Sequence, residues 1–548
     1  MTSLRRSPAL VVSGLFLVVL VAMVASTRHL TDGLFVYPLD DSYIHLALAR
    51  TLASHHTWGL HAGEFASASS SPGWTLLLTA TDLVFGAHLL TPLVLNAILV
   101  VALLFALDTG LCLLRPGAHL ALRYALLLTV LFASPITNLA FIGMEHVAQT
   151  LSILLTVLFA ARLLSLPPGA RLPTGETAAL LAAAAAAGAF RYEAVFAVLP
   201  ITLLLLLRRR VALAVLFAAS SALGPLAFGL YSHHLSGFWL PFSVMMKSTI
   251  NLPPKMNPVR RFLFLSAGGT FRPVLVLPLL LWLLRRRFHR FWSPSQIALL
   301  LSSTITAAHL ALAPTRWLMR YEAYFIALFL FVFYVALPHI SSLTELTARL
   351  RLLVPIDKAI AAALALVALS LSPFLVYRSW VGVVRGPRAS LDRFDEHIQM
   401  ARFVAQFYNH DTVVANDVGA IAFYTSAHLL DPVGLASDRP VRDLRGGHPI
   451  SSDDLAAWAA AEHASIAVLQ PTWTYIRPLI PAAWTPVGSW TLARNLVFGD
   501  LVVGFYAADP QAVPRLCQSL EQYSLPHRVH LVLAPGVCQA QPSHSRPE

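Results

Sequence analysis

The sequence predicts a polytopic α-helical membrane protein, with about 11–12 transmembrane helices, that ends in a small extracytoplasmic α/β domain. Composition gives the first reason, because 57% of the 548 residues are hydrophobic and only 12% are charged. Soluble domains carry about 25% charged residues, so a water-soluble globule of this length would lack polar surface. Distribution gives the second reason, because apolar runs of spanning length recur up to residue 385 and then stop.

Twelve apolar runs approach the length that crosses a bilayer, which for a helix is about 20 residues. They lie at 8–26, 74–90, 92–113, 121–140, 146–165, 177–190, 191–207, 211–231, 262–284, 294–314, 318–338 and 353–375. The first run is too long for the apolar core of a signal peptide, which spans about 7–15 residues. It therefore predicts a retained signal-anchor helix.

Arginines at the ends of the apolar runs predict the orientation, because basic clusters beside membrane spans mark cytoplasmic loops. The arginines at 5–6 place the segment 27–73 outside, and those at 349–351 place the C-terminal domain on the same side. Twelve crossings would return the C-terminus to the cytoplasm. We therefore expect eleven crossings, with the short run 74–90 failing to cross and 177–207 as the second doubtful region.

The formal net charge of +12 does not indicate a nucleic-acid partner. The surplus arginines lie beside apolar runs, whereas nucleic-acid binding needs a basic face on a folded domain. We expect instead a multi-pass protein of the inner (plasma) membrane, in contact with membrane lipid.

Charged residues return from residue 386, which divides the chain into a transmembrane domain at 1–385 and an α/β domain at 386–548. Short β-branched runs bounded by turn residues predict strands in the second domain. The predicted order is a helix at 392–408, a strand at 411–416, a helix at 418–425, a strand at 428–431 and further strands, one of them at 465–470.

Three cysteines are too few for a disulfide framework. Cys112 lies in an apolar run and is expected in the core. Cys517 and Cys538 both fall in the C-terminal domain. Their pairing stays open, because a sequence does not show whether two Cα atoms are close enough to bridge.

The first outer loop, residues 27–73, carries the acidic pair Asp40 and Asp41 at the start of an amphipathic helix. Either carboxylate has an ordinary explanation, since Asp caps helices and complements the helix dipole. An adjacent pair beside lipid is less well explained in this way, because like charges repel and desolvation is costly. A buried carboxylate there would have a raised pKa, which suits a general base.

Motifs in this loop and downstream of it follow one another in a family order. In the loop they are Asp40-Asp41-Ser42-Tyr43-Ile44, Ala49-Arg50, Trp58-Gly59-Leu60 and Ser71-Pro72-Gly73-Trp74. Downstream they are Gly143-Met144-Glu145, Arg191-Tyr192-Glu193, Trp239-Leu240-Pro241 with Lys247, Arg320-Tyr321, Asn416-Asp417-Val418-Gly419-Ala420 and Asp431-Pro432-Val433-Gly434-Leu435.

This order resembles the GT-C glycosyltransferases, a group that includes protein O-mannosyltransferases, lipid A aminoarabinose transferases and actinobacterial arabinofuranosyltransferases. The resemblance covers residues 8–440 and is specific for the family rather than for a substrate. Two positions depart from it, since Tyr192 replaces a proline and Phe242 replaces an asparagine.

The resemblance implies transfer of a sugar from a polyprenyl-phosphate sugar to an acceptor hydroxyl on the outer face, with inversion. The acceptor would be a cell-envelope glycan, a lipid or a protein, and Asp40 or Asp41 would be the catalytic base. Substrate and donor-phosphate contacts are expected from Lys247, Arg191, Arg320, Glu145, Glu193 and Tyr43. The alternative is a transporter or flippase for lipid-linked glycans, which an internal repeat would favour. No repeat is evident in the sequence.

Ionisable residues at membrane depth support a site near the outer leaflet, because each costs about 2.5–3.5 kcal/mol at the centre of a span. The topology places Glu145, Arg191, Glu193 and Arg320 there, and mutual salt bridges are the structural alternative. Lys247 lies in the outer loop 232–261 against the positive-inside pattern, which a phosphate-bearing lipid would explain.

No metal-ligand spacing in the sequence is diagnostic. His45, His55, His56 and His61 share the first loop with Asp40, and imidazole with carboxylate suits several divalent ions. We assign no certain cofactor and leave a divalent metal open.

Overall fold

The computed structural model describes residues 7–250, 257, 259, 271–285, 290–315, 317–337, 355–493, 495–496 and 500–538. Its N-terminal part is a bundle of helices. They are α1 (Pro8–Leu30), α2 (Asp40–His55), α3 (Pro72–Phe85), α4 (Thr91–Leu114), α5 (Leu120–Ala133), α6 (Ile136–Ile142), α7 (His146–Ser165), α8 (Thr174–Phe190), α9 (Val195–Leu207), α10 (Val211–Ser236), α11 (Phe242–Ile250), α12 (Arg272–Arg285), α13 (Pro294–Leu312), α14 (Ala323–Ala336) and α15 (Pro355–Arg393).

Several of these helices are suited to cross a membrane. Six are long and apolar enough: Pro8–Leu30, Thr91–Leu114, His146–Ser165, Val211–Ser236, Pro294–Leu312 and Ala365–Phe407. Helices α5 and α6, bent by 44°, form one further candidate, and four shorter apolar helices are Thr174–Phe190, Tyr192–Leu207, Val274–Leu283 and Ala323–Ala336. The described ranges thus hold six helices long and apolar enough to cross a membrane, or seven with the bent pair, which agrees with a polytopic helical fold; the predicted count of eleven crossings stays a prediction. Helix α3, in the run 74–90, has 14 residues and is not among them.

Basic residues predicted to be cytoplasmic meet at one end of the bundle. Arg115 and Arg285 donate to the carbonyl oxygens of Tyr334, at 2.9 Å, and Ala336, at 2.6 Å. Both carbonyls belong to the last turn of α14, where backbone oxygens lack helical partners and favour cations. Among the remaining arginines that predict the orientation, those at 5, 6, 286, 287, 349 and 351 lie outside the described residues.

The C-terminal part is an α/β domain, as predicted. Its strands are β1 (Thr412–Ala415), β2 (His428–Leu430), β3 (Ala464–Leu469), β4 (Thr485–Leu492), β5 (Val502–Ala507) and β6 (Val529–Leu533). They form one sheet in the order β2-β1-β3-β5-β4-β6, parallel from β2 to β3 and antiparallel in the remaining pairs. Its helices are α16 (Gln399–Phe407), α17 (Gly419–Tyr424), α18 (Arg439–Arg445), α19 (Ser452–Ala461) and α20 (Val513–Gln522).

The two parts are joined by helix α15, which runs through the predicted boundary at 385–386. A π-helical segment, Phe394–Ile398, follows it and leads directly into α16. No loop separates the bundle from the domain within 355–407, so the link is helical throughout.

Helix α2 lies between the bundle and the C-terminal domain, packed against α3 and α17. Its buried residues include Tyr43, His45 and Leu48 and surround the helix on several sides. The helix predicted to be amphipathic is therefore buried on both sides. The C-terminal domain covers its polar face, which the sequence predicts to be exposed to solvent.

The cysteines separate into one pair and one single residue. Cys517 and Cys538 form a disulfide with their Cα atoms 5.5 Å apart, which decides the alternative left open by the sequence. Cys112 is exposed, so the expectation of a core residue was wrong. The buried face of α4 passes through Leu104 and Leu111, and Cys112 points away from it.

Candidate active site

The acidic pair occupies the first turn of α2, and the two side chains have different partners. The N-cap of α2 is the extended Leu39, which has no side-chain capping bond, so neither Asp40 nor Asp41 is the cap of its own helix. Neighbouring residues of a helix point about 100° apart, since a turn holds 3.6 residues. Asp41 consequently faces the bundle, whereas Asp40 faces the C-terminal domain.

Asp41 is paired with a buried arginine. Nη2 of Arg320 donates to Oδ2 of Asp41 at 2.7 Å and to the Tyr321 hydroxyl at 3.0 Å, and Nη1 donates to Sδ of Met144 at 2.9 Å. The guanidinium also lies 4.9 Å from the centre of the Tyr321 ring. Nε of Arg320 has no hydrogen-bond partner within the described part of the chain.

Arg191 is held between two carboxylates. Its Nε and Nη2 donate to Glu193 at 3.0 and 2.6 Å, and its Nη1 donates to Glu145 at 2.8 Å and to Ser70 at 3.1 Å. All three nitrogens are therefore engaged, as the salt-bridge alternative predicted. Such a buried unit is stable only while every member is paired.

Two histidines join these residues. His45 Nε2 lies 3.5 Å from Oε2 of Glu145, and its Nδ1 lies 3.3 Å from the Ser69 hydroxyl. His146 is buried, and neither of its ring nitrogens has a hydrogen-bond partner among the residues described. Its ring is 5.9 Å from that of Tyr321. Buried polar groups are normally paired, so an imidazole without a partner marks a place where a ligand or water can bind.

We call this group the outer-end cluster, after the side of the membrane that the sequence predicts for it. Its members are Asp41, His45, Glu145, His146, Arg191, Glu193, Arg320 and Tyr321. Three carboxylates and two guanidiniums give it a formal charge of −1 when both histidines are neutral. Sequence reasoning missed His45 as a partner of Glu145 and missed His146 altogether, although His146 directly follows the motif Gly143-Met144-Glu145.

Asp40 binds the start of α17 in the C-terminal domain. Its Oδ2 accepts from the N–H of Gly419 at 2.7 Å, and its Oδ1 accepts from the N–H of Ala420 at 2.8 Å. Burial raises the pKa of Asp40 to about 6, although nearby His397 and the two amides act in the opposite direction.

Asp40 is one of three side chains that could together bind a metal ion. One ligand atom each from Asp40, His397 and Asp417 lies within 4.8 Å of the others, and this donor set is of a type that divalent metals bind. Two protein contacts occupy the same atoms. His397 Nε2 lies 2.6 Å from Oδ2 of Asp417, and Nη1 of Arg393 lies 2.8 and 2.9 Å from the two imidazole nitrogens. One arginine does not balance two carboxylates, so the donor set stays compatible with a divalent metal.

Comparisons with known proteins bear on the fold. Residues 389–511 match a family described as a domain of unknown function, DUF8728. No curated protein matches the sequence. ArnT from Cupriavidus metallidurans bound to undecaprenyl phosphate is 14% identical, with 91% of this chain and 99% of that chain covered and a TM-score of 0.56. Its apo form is 13% identical, with 91% and 98% covered and a TM-score of 0.54.

The protein has the GT-C fold. The chain is accordingly a multi-pass membrane protein. An oligosaccharyltransferase from Archaeoglobus fulgidus is 12% identical, with 94% of this chain and 76% of that chain covered and a TM-score of 0.43. At these identities the similarity to the two ArnT structures concerns the fold alone.

Tyr43 was expected at the site but lies outside the outer-end cluster. Tyr43 is fully buried, its hydroxyl accepts from the N–H of Tyr37 at 3.1 Å, and its ring packs on Phe423. The structure gives it a packing position between α2 and α17. The side chain of Lys247, on α11, lies outside the described residues.

The histidines of the first loop are not gathered around Asp40. His55 and His56 are exposed, whereas His45 belongs to the outer-end cluster. His61 Nε2 accepts from the N–H of Leu429 at 3.3 Å in the C-terminal domain. The metal site considered for these residues is therefore not formed by them.

The motif that starts at Asp431 is a turn. The carboxylate of Asp431 accepts from the N–H groups of Val433, Leu435 and Ala436 at 2.7–2.8 Å. Burial raises the pKa of Asp431 to about 6, against the effect of these amides. This motif of the GT-C resemblance is structural.

Proposed function

We propose that the protein is a glycosyltransferase that moves a sugar from a polyprenyl-phosphate sugar to an acceptor hydroxyl on the outer face of the membrane. The acceptor is a cell-envelope glycan, a lipid or a protein. The observation that carries the proposal is the outer-end cluster, in which Asp41 is paired with buried Arg320 beside His146, whose ring nitrogens have no hydrogen-bond partner among the described residues. A solved structure of the same fold contains undecaprenyl phosphate, which supports a lipid-phosphate donor.

The proposed reaction is a single displacement. A carboxylate of the acidic pair, Asp40 or Asp41, takes the proton of the acceptor hydroxyl, and the oxygen attacks the anomeric carbon of the donor. The bond between that carbon and the phosphate oxygen breaks, and the lipid phosphate leaves with the electron pair. Attack opposite the leaving group inverts the anomeric configuration.

The cations of the cluster differ in what they can offer the leaving phosphate. Arg320 has a nitrogen without a partner among the described residues, whereas every nitrogen of Arg191 already donates to Glu145, Glu193 or Ser70. Arg320 is therefore the phosphate ligand of the proposal, and His146 is the second contact. Arg191 holds the carboxylates of Glu145 and Glu193 in place.

Lys247 stays in the proposal as a further phosphate ligand, on the strength of its outer-loop position and motif. The site and the C-terminal domain are proposed to be extracytoplasmic, at the inner (plasma) membrane. Asp40, His397 and Asp417 would hold a divalent metal if the protein binds one, and no step of the proposed reaction is assigned to it.

The test uses purified protein in lipid nanodiscs, with undecaprenyl-phosphate-linked pentoses and hexoses as donors and envelope extract as acceptor. Released undecaprenyl phosphate is measured by mass spectrometry. Asp41→Asn and Arg320→Lys are expected to lower release, and loss of a general base lowers rates by about a hundredfold to ten-thousandfold. Movement of an intact labelled donor across liposomes, with no cleavage of any donor, would instead favour the flippase.

A further inference from the structure

Helix α2 contacts both ends of α17 with opposite charges. Asp40, at the start of α2, accepts from the first two N–H groups of α17. Arg50, in the second half of α2, donates to the carbonyl oxygens of Phe423 at 2.7 Å and Ala422 at 3.0 Å, at the other end of α17. The two helices therefore lie parallel, with one charged side chain of α2 at each end of its neighbour.

These contacts supply hydrogen-bond partners for the backbone groups at both ends of α17. The first N–H groups and the last C=O groups of a helix have no partners within it, and they favour an anion and a cation respectively. The N-cap of α17 is Val418, which supplies no side-chain bond. A helix of six residues is also far too short to be stable alone. Asp40 and Arg50 thus provide both caps from a different part of the chain.

Gly419 makes the close approach possible. A Cβ atom at this position would lie 2.4 Å from the backbone oxygen of Asp40 and 2.7 Å from its Oδ2. Both distances are far below van der Waals contact, and one of the two atoms is backbone. The motif Asn416-Asp417-Val418-Gly419-Ala420 therefore has a physical reason that the sequence alone does not show.

The rim of the contact is polar and more exposed. His428 Nε2 lies 3.1 Å from the exposed carboxylate of Glu64 in the first loop. On the far side, Arg442 of α18 donates to the carbonyl oxygen of Ser236 at 2.8 Å. Exposed pairs of this kind contribute little, so the buried contacts at α17 dominate the docking.

We propose that Asp40 and Arg50 are positioning residues that clamp α17 and hold the C-terminal domain over the first outer loop, and that Asp41 is the base. The clamp follows from the contacts alone. The assignment of Asp41 rests on the proposed function, because Asp41 lies in the outer-end cluster beside Arg320, the proposed ligand of the phosphate. Asp40 lies outside that cluster, with both oxygens accepting amides of α17.

Hydrogen–deuterium exchange of the full-length protein in detergent tests the clamp. Asp40→Asn, Arg50→Ala and Gly419→Ala should each speed exchange of the peptide 417–425 by about tenfold or more, since bonds to charged groups are the strong ones. Arg50→Lys keeps a donor and should show a smaller effect. Glu64→Gln, at the exposed rim, is the matched control and should leave this peptide unchanged.

Exchange that stays at the wild-type rate in all three variants would overturn the clamp. A further check is the double variant Asp40→Asn/Arg50→Ala, which should exchange little faster than the more affected single variant, because both residues act on one helix. Additive effects on exchange would show that the two residues hold α17 independently.

Transfer from undecaprenyl-phosphate sugars tests the assignment of the base. Asp41→Asn should lose turnover with normal exchange at α17, whereas Asp40→Asn and Arg50→Ala should impair transfer to a similar, smaller extent. Loss of turnover in Asp40→Asn far beyond that in Arg50→Ala, at equal exchange rates, would make Asp40 the base. If the wild type cleaves none of the donors, the proposed function fails and exchange alone decides the clamp.

Discussion

Replacing Arg191 by methionine should destabilise the protein far more than the same replacement of a more exposed arginine that also binds a glutamate. Arg191 binds Glu193 through two nitrogens and Glu145 through a third, and the two carboxylate side chains are only 14% and 0% exposed. Arg191→Met leaves both carboxylates buried without their cation. Breaking a buried pair in this way costs about 3–5 kcal/mol.

Arg162→Met is the matched control. Arg162 also binds one glutamate, Glu176, through Nε and Nη2, but these side chains are 30% and 25% exposed. Exposed pairs contribute about 0–1 kcal/mol, so the control should lose little. Unfolding of each variant in detergent, by titration with SDS and followed by tryptophan fluorescence, gives the difference in their free energies of unfolding.

The pH dependence of the loss adds a second test of the same reasoning. Protonation of Glu145 and Glu193 at low pH removes the unpaired buried charges of Arg191→Met, so its deficit should shrink as pH falls. Equal losses in Arg191→Met and Arg162→Met at neutral pH would refute the argument. They would mean that water reaches the outer-end cluster and screens it as it does a surface pair.

Three further predictions address other parts of the chain. Glu322 and Arg378 form a buried pair 2.7 Å apart, so Arg378→Met should strongly lower the free energy of unfolding. The double variant Glu322→Gln/Arg378→Met should lower it less, because it leaves no unpaired charge. Additive losses in this double-mutant cycle would contradict the pairing. Cys517→Ser opens a disulfide across 21 residues and should cost the C-terminal domain about 3 kcal/mol in chemical unfolding, and an unchanged midpoint would count against this. Because burial raises the pKa of Asp431 from 3.8 to about 6, the wild type should lose stability relative to Asp431→Asn as pH rises through this range, and thermal scans with parallel pH profiles would disprove it.

The fold could be predicted from the sequence because membrane insertion leaves a strong local signal. Apolar length and flanking arginines are properties of short segments, and Arg115 and Arg285 do meet at one end of the bundle. The strands β1 and β3 were predictable for the same reason, since their β-branched runs are bounded by turn residues.

The site could be predicted only in part, because its roles depend on contacts between distant segments. The motif pointed to Asp40 and Asp41 together, yet their partners, Gly419 and Arg320, lie hundreds of residues away. No periodicity tells which carboxylate faces which partner. His146 was missed because a single histidine at a helix start is usually structural, and its significance comes from burial without a hydrogen bond to any residue that the structure describes.

Helix α15 attaches the C-terminal domain to the bundle without an intervening loop. Its 39 residues span about 58 Å at 1.5 Å per residue, nearly twice the apolar thickness of a bilayer, which is about 30 Å. The domain is thus carried on a continuous helix with Pro373 and Pro387 inside it, and it contacts the loop of residues 27–73 at a second place, through α17. A change in bilayer thickness that tilts α15 would move the domain relative to α2. The length of the lipid chains would then alter the hydrogen bonds between Asp40 and α17 without any change in the protein.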